Sequence, residues 1–256
     1  MIVSHQHRYL FIEIPLTASS AVHHELCSYY DGAPVLHKHA SFPEFRRLMG
    51  SEAADYFAFA TVRNPLDKAV SHYVKIKDDY GGYYSNPAAA EALRIDYADL
   101  RKHESLREAD GSFGDYLKRY QRRAFTESIE LSRGQIDFVM RYERLQDDLA
   151  AVLEQLGLTR VRPLPVIKRT PGKRREWQSY YDTPEVIAHA KDVFGPFMKR
   201  WGYQFPEGWG GYNHSWAREL EFKLMTFAAG RYLLHVRYSD RLYARVLRLL
   251  RARLLR

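Results

Sequence analysis

"FIEIPLTASSAV", residues 11–22, runs from an apolar segment through a turn of small residues into a helix. The wider run "YLFIEI" (9–14) reads as a short, mostly apolar strand of the kind a parallel sheet covers on both faces. Helical spacing follows from Ser19 to Tyr30 and closes on the turn signal Asp31-Gly32. A strand that feeds a helix through a tight turn leaves backbone N–H groups pointing out of the helix N-terminus, where an anion is attracted. Pro15, Thr17, Ala18, Ser19 and Ser20 form that turn, and three of them carry hydroxyls. The same residues also suit an ordinary capped helix. The turn is not a GxxxxGK[ST] loop: it lacks the glycines, and Leu16 stands where a phosphate loop carries lysine.

Outward from this unit the pattern repeats. "APVLHKH" (33–39) reads as a second extended segment and "FPEFRRLM" (42–49) as a short helix. "YFAFATV" (56–62) is the clearest strand, and "RNPLDKAVSHYVKI" (63–76) is a helix with Asn64 as N-cap, Pro65 at the first helical position and Asp67 in the first turn. Strand, turn and helix in this order imply an α/β fold with a parallel sheet and right-handed crossovers. Ligands of such sheets bind beyond the C-terminal ends of the strands, which assigns the turns at 15–20 and 63–65 to one rim. Residues 78–112 read as a polar insertion suited to substrate contacts. A strand at 136–140 leads into a helix ending at Gly157, and 166–181 is a basic loop. "PEVIAHAKDVFGPFMKRWGY" (184–203) is helical, with Gly195-Pro196 expected to end or kink it. Two further helical stretches, about 215–237 and 240–256, suggest a division into 1–207 and a C-terminal helical appendage, 208–256.

The bulk numbers narrow the partners without choosing one. A formal charge of +8 and a pI near 9.4 favour anionic ligands. The single cysteine, Cys27, excludes an internal disulfide, supplies no metal framework and fits a reducing compartment. Polar "SHQHR" (4–8) interrupts any apolar signal core, and no run approaches the ~18 apolar residues of a membrane span, so the chain reads as cytoplasmic. No nucleic-acid recognition module is present, only charge.

Arg63 ends the third strand at the rim, and Ser71 lies two helical turns farther on. An arginine fork with a hydroxyl suits a terminal phosphate, although both also fit a solvated surface. "IPLTASSAV" with "TVRNPLDKAVSHY" resembles the two cofactor signatures of the sulfotransferases that use 3′-phosphoadenosine 5′-phosphosulfate (PAPS). The first resembles their 5′-phosphosulfate loop, and the second their 3′-phosphate motif of an arginine and a serine eight residues later. "RYERLQDDLAAVLEQLGL" and "YYDTPEVIAHAKDVFGPFMKRWGY" are similar to further family segments, so the likeness runs in patches from about residue 8 to 205. It implies a P-loop-like three-layer α/β/α fold with a central parallel sheet, PAPS as donor, no metal, and a hydroxyl acceptor.

Within that superfamily "LHKHASF" (36–42) resembles the H-x-H pair of the heparan sulfate 2-O-sulfotransferases, which implies a glycan acceptor. Sulfuryl transfer to an alcohol requires a base, and the resemblance gives that role to His39, with His37 assisting or orienting. On an extended backbone the two histidines would share one side and Lys38 would point away. Glu13, an acid on an apolar strand, is the alternative base.

The family's loop lysine offsets charge developing as the sulfuryl group leaves, and Leu16 cannot. Lys38 is the nearest substitute in the motif, with Lys168, Arg169, Lys173, Arg174 and Arg175 as others from the basic loop. A relocated cation, a slow enzyme and a binding module without turnover all remain open, while an ATP-dependent kinase lacks its lysine-bearing loop. In the tail "RLYARVLRLLRARLLR" an apolar stripe of Tyr243, Val246, Leu247, Leu250 and Leu254 among arginines suits peripheral membrane contact, self-association or packing on its own domain.

Overall fold

A computed structural model of the chain describes residues 1–92, 95, 97–165, 167, 170, 172–173, 176–212, 215–233 and 235. The elements run β1 (Ile2–Ser4), β2 (Tyr9–Ile12), α1 (Ser19–Tyr29), β3 (Ala33–Pro34), α2 (Phe42–Met49), β4 (Phe57–Val62), α3 (Pro65–Lys77), α4 (Pro87–Ala92), α5 (Tyr97–Glu108), α6 (Phe113–Tyr120), β5 (Phe138–Arg141), α7 (Leu145–Gln155), α8 (Pro184–Trp201) and α9 (Trp216–Tyr232). They fall into two compact units, Met1–Asn64 with Glu127–Arg169, and Pro65–Thr126 with Thr170–Arg256. The described part of the expected C-terminal appendage therefore counts within the second unit.

The first unit is built on one five-stranded sheet in the order β3-β1-β2-β4-β5. β2, β4 and β5 are parallel, pairing Phe11 with Phe59 and Phe59 with Phe138. β1 and β3 are antiparallel additions at one edge. The central strands are thus parallel, as expected, within a sheet that is mixed at one edge. The polar stretch after Ser4 turns the chain back, with Arg8 in the left-handed region at φ 54°, so three N-terminal residues suffice for a hairpin strand.

Side chains alternate across a strand, so Tyr9, Phe11 and Phe59 share one face, where Ala21, Val22 and Leu26 of α1 and Leu149, Val152 and Leu153 of α7 complete a core. Leu10, Ile12, Ala58 and Ala60 point to the other face and are equally buried. This double burial explains why these strands read as continuous apolar runs. α7 closes as its sequence predicts: Gly157 takes φ 68° and the Leu158 N–H returns to the Leu153 carbonyl.

Residues 33–39 do not continue as a strand. Only Ala33–Pro34 pair with β1; Leu36 then takes φ 60°, and the Ala40 N–H bonds the His37 carbonyl to close a turn. α2 starts cleanly because Ser41 donates its N–H and hydroxyl to Glu44 Oε2, the reciprocal half of a capping box.

The second unit packs α3, α6 and α8 around Leu66, Val70, Tyr73, Phe113, Tyr116, Val193 and Phe194. α3 begins at Pro65, as its start signals predict. α8 does not end at Gly195-Pro196 but runs through to Trp201. Gly195 is where the Tyr212 ring approaches the helix: a Cβ there would sit 2.1 Å from it. The missing Cβ also removes the usual clash before proline. Burial of Val193, Phe194, Phe197 and Met198 outweighs the one hydrogen bond that Pro196 cannot make. Among the described residues no helix is long and apolar enough to cross a membrane.

Candidate active site

The turn between β2 and α1 has an unusual backbone. Leu16 and Ala18 both take left-handed conformations, at φ 61° and 59°. Such angles carry strain for residues with a Cβ, of the order of 1–3 kcal/mol each. α1 then starts without a side-chain cap, its N-cap being Ala18, and no acid lies in its first turn. Thr17, which would serve as a cap or a ligand donor, instead donates its hydroxyl to the Ile14 carbonyl (2.9 Å) and is fully buried. Among the described residues no acceptor takes the backbone N–H of Leu16, Thr17, Ala18, Ser19 or Ser20; the first bonded amide of the turn is Ala21, on the Ala18 carbonyl. Five successive amides, two of them on the buried residues Thr17 and Ser19, thus have no acceptor among the described residues. Buried N–H groups are costly without a partner, and a nest of them binds anions.

Two cations meet this turn. Lys38 Nζ donates to Ser20 Oγ at 3.0 Å, so the ammonium stands at the start of α1. Residues 36–39 form a turn and not an extended strand, so Lys38 does not point away as strand alternation would require. Arg63, 7% exposed at the end of β4, donates from Nη1 to the Leu16 carbonyl at 2.8 Å, and its guanidinium lies 4.0 Å from the centre of the Tyr142 ring. Arg63 and the 15–20 turn, forty-three residues or more apart in sequence, therefore touch within the first unit.

The two histidines have different surroundings. His39 Nδ1 lies 2.9 Å from the Glu13 carbonyl oxygen. A carbonyl only accepts, so Nδ1 carries the proton and the neutral ring keeps its lone pair on Nε2. Desolvation lowers the His39 pKa below its ordinary 6.5 even though the residue is exposed; the Glu13 hydrogen bond opposes the shift and the Lys38 charge adds to it. His37 Nε2 lies 2.8 Å from Glu44 Oε1, on the carboxylate that caps α2, which fixes the first histidine to that helix.

Glu13 itself is 1% exposed. Its Oε2 accepts from the Met1 amino group at 2.6 Å and its Oε1 lies 3.0 Å from His23 Nδ1. The carboxylate is thus compensated as a buried charge must be, and both its oxygens are engaged. The Met1 amino group also donates to the Lys38 carbonyl at 2.9 Å, tying the histidine turn to the sheet edge.

Ser71 lies on α3 in the second unit, 1% exposed. Lys173 belongs to the same unit and is ion-paired with Asp67 in the first turn of α3. Lys168, Arg169, Arg174 and Arg175 lie outside the described residues, as does the 240–256 helix. Among the described residues no group of three or more His, Cys, Asp and Glu side chains is placed to hold a metal ion.

Tyr142 and Glu44 join the expected residues through their contacts with Arg63 and His37. Glu44 was available as the last residue of an S-x-x-E capping box, Ser41 to Glu44. Nothing in the sequence pairs Tyr142 with Arg63.

No curated protein and no solved structure matches the chain. The model of the sulfotransferase family matches residues 1–194, a span that holds the 15–20 turn, the histidine turn, Arg63 and Ser71. With well over half of its length so matched, the chain belongs to the sulfotransferase family.

Proposed function

We propose that this chain transfers a sulfuryl group from PAPS to a hydroxyl, on a carbohydrate or glycolipid acceptor of the kind implied by its likeness to the heparan sulfate 2-O-sulfotransferases. Sulfuryl transfer is the general chemistry of the family to which it belongs. The observation that carries the reading is the uncapped 15–20 turn, five amides without a protein acceptor and a lysine at its edge.

These residues fit a doubly anionic nucleotide end. Amides of the turn and the Ser20 hydroxyl would hold the 5′-phosphosulfate, with Lys38 supplying the cation that Leu16 cannot. Arg63 and Ser71, spaced as in the family motif, would hold the 3′-phosphate. When bound, PAPS supplies the sulfuryl group that the acceptor oxygen attacks. His39 Nε2 takes the proton that the acceptor hydroxyl releases, because its other nitrogen is held protonated by Glu13 and its lowered pKa keeps the ring neutral at pH 7. His37, held by Glu44, orients the turn that presents His39. Glu13 acts through its backbone carbonyl and not as a base, since both carboxylate oxygens are engaged elsewhere.

Incubation with ³⁵S-labelled PAPS over a panel of polysaccharides, glycolipids and simple phenols tests the reading. Label in a carbohydrate, lost in His39→Asn, is the expected result. Nucleotide binding with no transfer to any acceptor would contradict it and leave a binding module.

A further inference from the structure

α9 packs on α8 through one side only. Phe222 is fully buried there, with the Arg200 guanidinium 4.9 Å from its ring centre. Both acids of the helix lie in ion pairs on that side: Glu221 with Arg218 at 2.7 Å, and Glu219 with Lys199 at 3.6 Å. Arg218 further grips Asp192 of α8 at 2.6 Å.

Among the described residues the other side is apolar and exposed. Trp216, Leu220, Leu224 and Phe227 are 76, 47, 57 and 67% exposed, and their spacing of four, four and three residues sets them on one face. The exposed charges of α9 are Lys223 and Arg231, both basic. The sequence that follows stays basic: residues 231–256 hold eight arginines and one acid, Asp240.

We propose that this face of α9 docks the protein on an anionic membrane surface, with Trp216, Leu220, Leu224 and Phe227 entering the headgroup boundary and Lys223 and Arg231 meeting lipid phosphates. The sign of the rim chooses this occupant. A second copy packed symmetrically on the stripe would bring two like-charged rims together. The arginine-rich segment of the same chain would meet the same repulsion. An interfacial helix needs large apolar residues, above all Trp and Phe, on one side and basic charge beside them, which α9 supplies.

The test is co-sedimentation of the full chain with vesicles of phosphatidylcholine alone and of phosphatidylcholine with phosphatidylglycerol. Binding is expected only to the anionic vesicles, weakening with added salt. The triple variant Trp216→Ser/Leu220→Ser/Phe227→Ser should lose on the order of tenfold or more in affinity, its fold checked by an unchanged circular dichroism spectrum. Trp216→Phe keeps the apolar face and provides a second readout. In the wild type, brominated lipid should quench tryptophan emission, and in Trp216→Phe that quenching should vanish while binding persists. Equal binding of the triple variant, quenching that survives Trp216→Phe, no binding to either vesicle, or a concentration-dependent dimer abolished by the triple variant would each overturn the proposal.

Discussion

Arg63 Nη1 lies 2.8 Å from the carbonyl oxygen of Leu16, so the arginine that ends β4 holds the turn between β2 and α1. The bond is charge-assisted and nearly buried, and the Tyr142 ring backs the guanidinium. A planar fork can grip a carbonyl and stack on a ring at once; an ammonium on a flexible stem cannot. Arg63→Lys keeps the charge and should still lower unfolding free energy by about 1–3 kcal/mol. Urea denaturation beside the wild type measures this. Unchanged stability would mean that the bond to Leu16 does not hold the turn.

Lys38 stands on Ser20 Oγ at the start of α1, where the proposed function puts the cation of the donor site. Lys38→Ala should reduce kcat by ~10²–10³, the usual cost of one electrostatic group at a reacting centre. Leu16→Lys in that background should restore much of the loss. Steady-state sulfuryl transfer by the two variants decides the point: a silent Lys38→Ala would show that the cation comes from elsewhere.

His39 should set the acid limb of the pH–rate profile. Its pKa lies below 6.5, so kcat/KM should be level at neutral pH and fall only as the pH drops beneath that value and the ring gains a proton. The sign for stability is the same. Desolvation disfavours the charged ring, so stability is complete above 6.5 and declines as pH falls through the folded-state pKa, by an amount that the exposure of His39 keeps small. His39→Asn should lower kcat by ~10²–10⁴ and flatten the limb. A limb unchanged in that variant would assign it to another group.

In the second unit Asp99 lies 3.3 Å from His72 Nε2 and 2.6 Å from Lys102 Nζ, while the Tyr116 hydroxyl lies 3.0 Å from His72 Nδ1. Burial opposes the charged form, but the His72 hydrogen bond, the nearby imidazole and the Lys102 ammonium prevail and bring Asp99 from 3.8 to about 2. Its stabilising contribution is therefore complete above 3.8 and lost as pH falls toward 2. Asp99→Asn should cost about 1–2 kcal/mol at pH 7 and remove that acid dependence. Thermal melts at pH 7 and pH 3 measure it, and equal losses at both would contradict the ion-pair account.

The parallel strands were legible as apolar runs, and α1, α3 and α7 because each is long enough to show its period, with Pro65 marking the start of α3 and Gly157 the end of α7. β1 was not, since three residues show no period and its pairing with β2 depends on a turn at Arg8. The histidine turn was misread for a related reason. β-like composition at 33–39 says nothing of the left-handed Leu36 that bends the chain and brings Lys38 to Ser20. Pro196 misled in the opposite sense, because local propensity yields to the packing of α8. The direction each of these side chains takes comes from backbone turns and from partners: Glu44, which its spacing from Ser41 announces only as a cap, and Tyr142, which no spacing connects to Arg63.

Calorimetric titration of the full chain with adenosine 3′,5′-bisphosphate, AMP and ATP tests the account at its centre. An anion-binding turn acting with a 3′-phosphate site predicts affinity for the bisphosphate at least ~10²-fold above that for AMP or ATP, and its loss in Arg63→Ala. Equal affinity for the three nucleotides, or bisphosphate binding untouched by Arg63→Ala, would contradict it.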